Sequence, residues 1–172
     1  MNSLTIRNVN TLFFLSIYFS IWVSSPGPNT FIPILNFSLL YYMLYDLYYY
    51  AMEMGIDMVV HHILTTLLVI SSMYYPTHWD ILKPFYLAEI STFFLVFSKM
   101  PTVFYPFLRQ VSKFLFVGTF VYFRVYSIGY TLLYQRLELT LSFWFAYSLW
   151  LLNVYWFFII VEKIKNNFSS AK

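Results

Sequence analysis

Residues 56–75 read IDMVVHHILTTLLVISSMYY, with one carboxylate at the start, two adjacent histidines, and otherwise almost only apolar or hydroxyl-bearing side chains. At about 1.5 Å of rise per residue, a helix of this length crosses the roughly 30 Å hydrocarbon core of a bilayer. Inside a membrane every backbone N–H and C=O must find a partner within the protein, so a spanning structure is either helical or a closed barrel. Barrel strands alternate apolar and polar side chains over about ten residues. The apolar run here is continuous and longer than that, so it predicts a transmembrane helix.

Five further stretches of the same kind flank it, at about 5–23, 31–52, 81–99, 112–134 and 141–161. Their breaks have chemical causes. Ser24-Ser25-Pro26-Gly27-Pro28-Asn29 places two prolines and a glycine between the first two helices. Glu53 to Asp57 is a tight charged turn, Pro76 to Lys83 and Pro101 to Lys113 end and restart helices around prolines, and Arg136 to Glu138 marks the last turn. Composition agrees. Hydrophobic residues make up 60% of the 172-residue chain, charged residues 10%, and mean hydropathy is +0.67. A soluble domain carries about 25% charged residues. The expectation is an all-α, multi-pass transmembrane bundle of about six helices around a polar cavity, read as one domain over residues 1–172.

Several function classes fall away. Without cysteine there are no disulfides, thiol nucleophiles or thiolate metal sites. The net charge of +3 is small, and the basic residues lie at helix ends, so nucleic-acid binding has no support. With six spans, the face holding both termini carries Arg7, Lys99, Arg109, Lys113, Lys163, Lys165 and Lys172, and the other carries Lys83 and Arg136. That bias predicts cytosolic termini. Arg7 and the apolar run ending in small residues near Ser24 also allow a cleaved signal peptide. An Ala-x-Ala-like cleavage site is missing, however, and a second spanning run follows at once.

Ionisable residues inside spans are costly unless paired or wetted, and mark functional sites by default. Here they are Asp46, His61, His62, Glu89 and Arg124, with Asn153 as a neutral companion. Counted from the cytosolic helix ends, Asp46, His61 and His62 lie about 6–9 Å deep, Asn153 and Glu89 about 12–15 Å, and Arg124 about 18 Å. Matching depths on separate helices predict one cavity open to the cytosol.

Histidine suits proton transfer near neutral pH. Neighbours on a helix point about 100° apart, so one of His61 and His62 lines the cavity while the other packs or orients its partner. His62 shares a face with Thr65 and Thr66, and His61 with Thr65. The alternative is a His pair satisfied by interhelical hydrogen bonds. Two ligands for one metal ion need spacing i, i+4 on a helix, which this pair lacks, and His78 falls in a loop on the opposite face, so no metal site is expected. Asp46 shares a face with Tyr42, Tyr49 and Tyr50. It reads either as the carboxylate that orients a histidine or as an aspartate snorkelling to the interface beside an aromatic belt. Glu89 and Arg124 read as an ion pair that shapes the cavity, with Arg124 alternatively receiving a lipid phosphate or carboxylate. Asn153 reads as a donor of interhelical hydrogen bonds. Trp150, Tyr155 and Trp156 read as packing and interface anchors.

Taken in order, Leu40-Tyr41-Tyr42-Met43-Leu44-Tyr45-Asp46, His61-His62-Ile63-Leu64, Leu87-Ala88-Glu89-Ile90-Ser91-Thr92, Phe123-Arg124-Val125 and Leu152-Asn153-Val154-Tyr155-Trp156-Phe157, followed by Lys163-Ile164-Lys165, resemble the TLC domain superfamily over about residues 31–165. That superfamily includes ceramide synthases, in which paired membrane histidines carry out N-acylation with acyl-CoA, and regulators of membrane lipid composition. The resemblance implies that His61 and His62 fall on that pair. One would then attack the thioester or act as general base, splitting acyl transfer into two easier steps. The second synthase motif, His-Asp followed by Asp, is replaced here by Glu89-Ile90-Ser91, the form of TLC-domain proteins outside the synthase branch. Where relatives often have Ser/Thr-x-x-His in the first helix, this chain has Thr11-Leu12-Phe13-Phe14.

The expectation is an endomembrane protein, in the endoplasmic reticulum or a related membrane, acting in lipid metabolism or on lipid composition. Membrane lipids are the expected partners, acyl-CoA is a candidate substrate of an acyltransferase, and a homo-oligomer is a candidate assembly. The alternative on the same fold is a non-catalytic lipid-binding regulator or cargo adaptor.

Overall fold

The computed structural model describes residues 3–24, 28–74, 79–99, 106–134 and 140–169. Six helices occupy these segments: α1 (Ser3–Ser24), α2 (Pro28–Tyr50), α3 (Ile56–Tyr74), α4 (Trp79–Lys99), α5 (Pro106–Tyr134) and α6 (Leu141–Ser169). His78, Arg136 and Glu138 lie outside the described residues.

Local chemistry sets the helix ends. Pro28 and Pro106 stand at first helical positions, where the N–H that proline lacks would have had no intrahelical partner. For this reason α5 begins well ahead of residue 112, where hydropathy alone placed it. A single 3₁₀ turn, Ala51–Glu53, joins α2 to α3. Met54 N–H donates to Tyr50 O at 3.1 Å, and Met58 and Val59 N–H donate to Gly55 O at 3.0 and 3.1 Å, so one helix closes as the next opens.

Polarity is inverted relative to a water-soluble domain. Phe13, Phe37, Phe107, Phe114 and Phe158 stand exposed on the outside, while Asn36, Asp46, His62, Glu89, Arg124 and Asn153 are buried. Exposed apolar side chains around a polar interior suit a lipid surround. By length and composition α3, α5 and residues 141–166 of α6 are each able to cross a membrane. In α1, α2 and α4 the inward-facing polar residues, among them Asn8, Thr11, Asn36, Asp46 and Glu89, lower the hydropathy.

The interior divides into two halves. Leu68 and Val69 of α3, Ile128 and Leu132 of α5, and Ala146 and Leu149 of α6 pack with Leu35, Leu39 and Tyr86 into a closed apolar core. Small residues let the helices approach: Ala88, Ser91 and Ala146 are almost wholly buried at crossings. This core sits toward the C-terminal ends of α3 and α5. Toward the opposite end, the same helices diverge around a cavity.

Candidate active site

Two buried polar networks stand beside that cavity. In the first, Asp46 of α2 receives a two-pronged contact from Arg7 of α1, with Nε 3.0 Å from Oδ1 and Nη2 2.7 Å from Oδ2. His62 of α3 approaches the same carboxylate, its Nε2 2.9 Å from Oδ2. The other ring nitrogen, Nδ1, lies 2.8 Å from the Met58 carbonyl one helical turn back. Both nitrogens of His62 thus face acceptors. A carbonyl cannot donate, so Nδ1 carries a proton, and the Nε2–Asp46 contact needs one more, on the ring or on the carboxyl. The Arg7 guanidinium also stands over the Tyr50 ring at 5.8 Å. Three helices are tied together by one carboxylate.

Tyr42, Tyr49 and Tyr50 share the face of Asp46, but the contacts to its carboxylate come from Arg7 and His62. Tyr49 points outward, and Arg7 reaches in along α1 to take the carboxylate. An arginine side chain is long enough to bridge from the interface to a site one turn deeper, and its fork matches a carboxylate.

The second network centres on Arg124 of α5. Its Nε donates to Ser91 Oγ at 2.7 Å and its Nη2 to Thr92 Oγ1 at 2.6 Å, both on α4. Its contact with Glu89, also on α4, is longer, at 3.4 Å, and Nη1 reaches Asn153 Oδ1 of α6 at 3.3 Å. Glu89 and Arg124 form the expected ion pair. Asn153 differs from expectation. Across helices it accepts from Arg124, and its own Nδ2 donates within α6 to Leu149 O at 2.9 Å. A cationic neighbour needs an acceptor, so the amide turns its oxygen outward.

Arg124 sits in a widened turn. Residues Phe120–Ser127 wind as a π-helix inside α5, with Ile128 N–H reaching back to Phe123 O. The wider turn leaves backbone groups to be satisfied from outside, and Trp150 of α6 donates its Nε1 to Val125 O at 3.0 Å. Gly129 makes this approach possible, because a Cβ there would lie 2.8 Å from the same Nε1. Such interruptions are frequent at functional sites.

His61 belongs to neither network. Its ring is 5.6 Å from that of His62 and 5.2 Å from that of Trp156 on α6. Its Nδ1 is buried, with no hydrogen-bond partner among the described residues, as are the hydroxyls of Thr65 and Thr66. Trp156 is fixed from the other side, donating Nε1 to Asp57 Oδ2 at 2.7 Å. Asp57 lies one turn before His61 on α3, so aspartate, indole and imidazole form a row. Reading Trp156 as a packing anchor missed this link. The i, i+4 spacing of Asp57 and His61 was the available signal.

The cavity these groups share has a volume of about 210 Å³. His61, His62, Glu89, Ser91, Thr92 and Arg124 give it a polar floor, and Met43, Leu95, Phe116, Phe120, Ile159 and Ile160 an apolar wall. Asp57 and Met58 line it near the start of α3. Asp46 and Asn153 stand behind the lining. Among the described residues no group of three His, Asp or Glu side chains is placed to hold a metal ion.

A family model of the TLC domain (TRAM/LAG1/CLN8) matches residues 5–162. No curated protein and no solved structure matches the chain. The match runs from α1 into α6, and so takes in the first helix, which lies outside the residues 31–165 that carry the motif resemblance. It covers most of the sequence, and with the helical architecture and the lipid-facing exterior it makes this chain a multi-pass membrane protein of the TLC domain family.

Proposed function

We propose that this protein acts on membrane lipids, its cavity receiving the polar end of a lipid or acyl thioester and His61 serving as nucleophile or general base. The observation that carries this reading is the contrast between the two histidines. Both nitrogens of His62 are engaged, so neither is free to serve a reacting group. His61 lines the cavity, and its buried Nδ1 has no hydrogen-bond partner among the described residues. Asp46 then acts one residue removed, fixing His62 and through it the start of α3, while Glu89, Arg124 and Asn153 shape the floor.

Cavity size supports a partial occupant. Pockets that enclose whole ligands run to about 300–1,000 Å³. A site of about 210 Å³ suits the reacting end of an amphiphile, its chain leaving past Leu95 and Phe116 toward the bilayer. Cytosolic placement of both termini of a six-span bundle is supported by the Lys/Arg bias. Acyl-CoA is then accessible from the side on which the cavity opens.

A second reading is favoured by one specific contact. Asp46 orients His62, and no carboxylate reaches His61 Nδ1 among the described residues. A lipid-binding regulator or cargo adaptor with the same cavity needs no oriented base.

Acyl transfer from labelled acyl-CoA by the purified chain in vesicles separates the two. Under the catalytic reading His61→Ala abolishes transfer while the protein still accumulates and binds lipid. Transfer by His61→Ala at the wild-type rate removes His61 from the chemistry. Absence of transfer by the wild-type chain, together with retained lipid binding, favours the regulator.

A further inference from the structure

Three lysines stand one helical turn beyond the cavity wall, on three different helices. Lys99 follows Leu95 of α4 by four residues, Lys163 follows Ile159 of α6 by four, and Lys113 precedes Phe116 of α5 by three. Those offsets keep each lysine on the face of the wall residue it accompanies, about 5.4 Å farther toward the helix end. All three are exposed, and among the described residues none is in an ion pair. Partial burial, and after it the cations Arg7 and Lys163, hold the Lys99 ammonium below the usual lysine range. α5 is held against α4 at this end by Arg109, which lies one turn before Lys113 and donates from Nε to Ser98 O at 3.2 Å. Two carboxylates stand nearby without an ion pair to the three lysines among the described residues: Asp57, which accepts from the Trp156 indole, and Glu162, turned about 100° from Lys163 along α6.

Unpaired ammonium groups placed together repel, and a dianionic ligand relieves that repulsion. A phosphate carries about −1.5 to −2 charges near neutral pH, a carboxylate only one. Arg124, the other cation at the cavity, is poorly placed to receive it, because Glu89, Ser91, Thr92 and Asn153 already occupy four of its five N–H donors. We propose that Lys99, Lys113 and Lys163 form a phosphate-binding rim over the cavity mouth, so that the cavity's occupant is an acyl amphiphile carrying a phosphate group. The rim holds the phosphate at the membrane interface. The polar floor lies roughly 16 Å farther along α5, measured from Lys113 to Arg124, and His61 stands between. Phosphate and reacting group are therefore recognised at different depths.

This inference rests on the lipid-handling reading, but it can be tested without turnover. The full chain in phosphatidylcholine nanodiscs is titrated with radiolabelled lysophosphatidic acid, palmitoyl-CoA, palmitate and monopalmitin. The expected result is that at least one phosphate-bearing probe binds about tenfold or more tighter than monopalmitin and palmitate, with the margin shrinking as salt rises. Whichever of lysophosphatidic acid and palmitoyl-CoA is preferred shows whether the phosphate belongs to a lipid headgroup or to a soluble acyl carrier. The triple variant Lys99→Gln/Lys113→Gln/Lys163→Gln loses the margin and keeps monopalmitin binding, which reports an intact cavity. Lys163→Gln alone loses roughly fivefold. Lys83→Gln, at the other end of the bundle, changes nothing. Equal binding of all four probes, or a margin untouched by the lysine variants, overturns the proposal. Loss of acyl transfer in His61→Ala with lysine-independent binding would leave the lipid reading and remove the rim. Lysine-dependent binding without acyl transfer would keep the rim and leave the lipid-binding regulator as the reading of the cavity.

Discussion

The two buried networks solve one problem by different means. Arg7–Asp46–His62 holds α1, α2 and α3 through a single carboxylate, with contacts of 2.7–3.0 Å between groups that are charged or readily become so. Arg124 holds α4, α5 and α6 mostly through neutral acceptors, its shortest contacts being 2.6 Å to Thr92 and 2.7 Å to Ser91, while Glu89 stays at 3.4 Å. One network depends on its anion. The other spreads the neutralisation of its cation over several dipoles. The first stands mostly behind the cavity, and the second forms its floor. Each network ties three helices, and the cavity draws its histidines from α3 and its arginine and glutamate from α5 and α4.

Substitutions of the two acids break or sharpen this contrast. Asp46→Ala removes the only carboxylate of its network and leaves Arg7 and His62 facing each other in a buried site. Leaving a buried charge unpaired costs about 3–5 kcal/mol. The expected outcome, read by thermal unfolding in detergent, is the largest loss of stability among single substitutions here, with α1 released first in limited proteolysis. Glu89→Gln keeps a carbonyl oxygen near Nη2 and leaves Ser91, Thr92 and Asn153 in place. A loss of about 1–2 kcal/mol is expected, the scale of one weakened charged hydrogen bond. If Glu89→Gln proves as damaging as Asp46→Ala, the longer contact at Glu89 understates its role, and the contrast fails.

How far the sequence revealed these networks follows from their geometry. The six helices were readable because length and apolar continuity in a bilayer leave little choice. The Glu89–Arg124 pair was readable because two opposite charges at one depth on different helices have few other solutions. Arg7 was not. Its place near a helix end gave it an ordinary role in setting orientation, and nothing local shows that its fork reaches an aspartate on α2. The division of labour between His61 and His62 was equally hidden. It depends on which ring nitrogen meets the Met58 carbonyl and on where α6 places Trp156, both set by tertiary packing. The widened turn at Phe120–Ser127 left no composition signal either. Glycines flank it at 118 and 129, but only Gly129 meets a close approach, and nothing in the sequence tells the two apart.

Gly129 allows a smaller test of the Arg124 side. In Gly129→Ala the new methyl lies 2.8 Å from Trp150 Nε1, so the indole must shift and its bond to Val125 O weakens. An unsatisfied buried carbonyl costs about 1–3 kcal/mol, and partial relaxation of Trp150 places the expected loss at the lower end. The diagnostic readout is local: faster amide exchange over residues 120–129 with unchanged protection in α2 and α3. Equal loosening of all six helices would show that the two networks form one cooperative unit.

The smallest expected effect lies where neither network reaches. Trp156→Phe keeps an aromatic ring beside His61 and removes only the donor to Asp57 Oδ2. Asp57 is half-buried near the start of α3, where water can replace the indole, so the stability loss should stay at or below about 1 kcal/mol. Its effect on His61 should be larger than its effect on the fold. The indole is pinned on one side and packed against the imidazole on the other, so freeing it lets the imidazole explore more rotamers. Modification of His61 by a histidine-selective reagent should accelerate in Trp156→Phe, while His62, bound at both nitrogens, stays protected. Unchanged His61 modification would mean that the imidazole is held by the α3 backbone alone, and that the row from Asp57 through Trp156 is packing without consequence for the site.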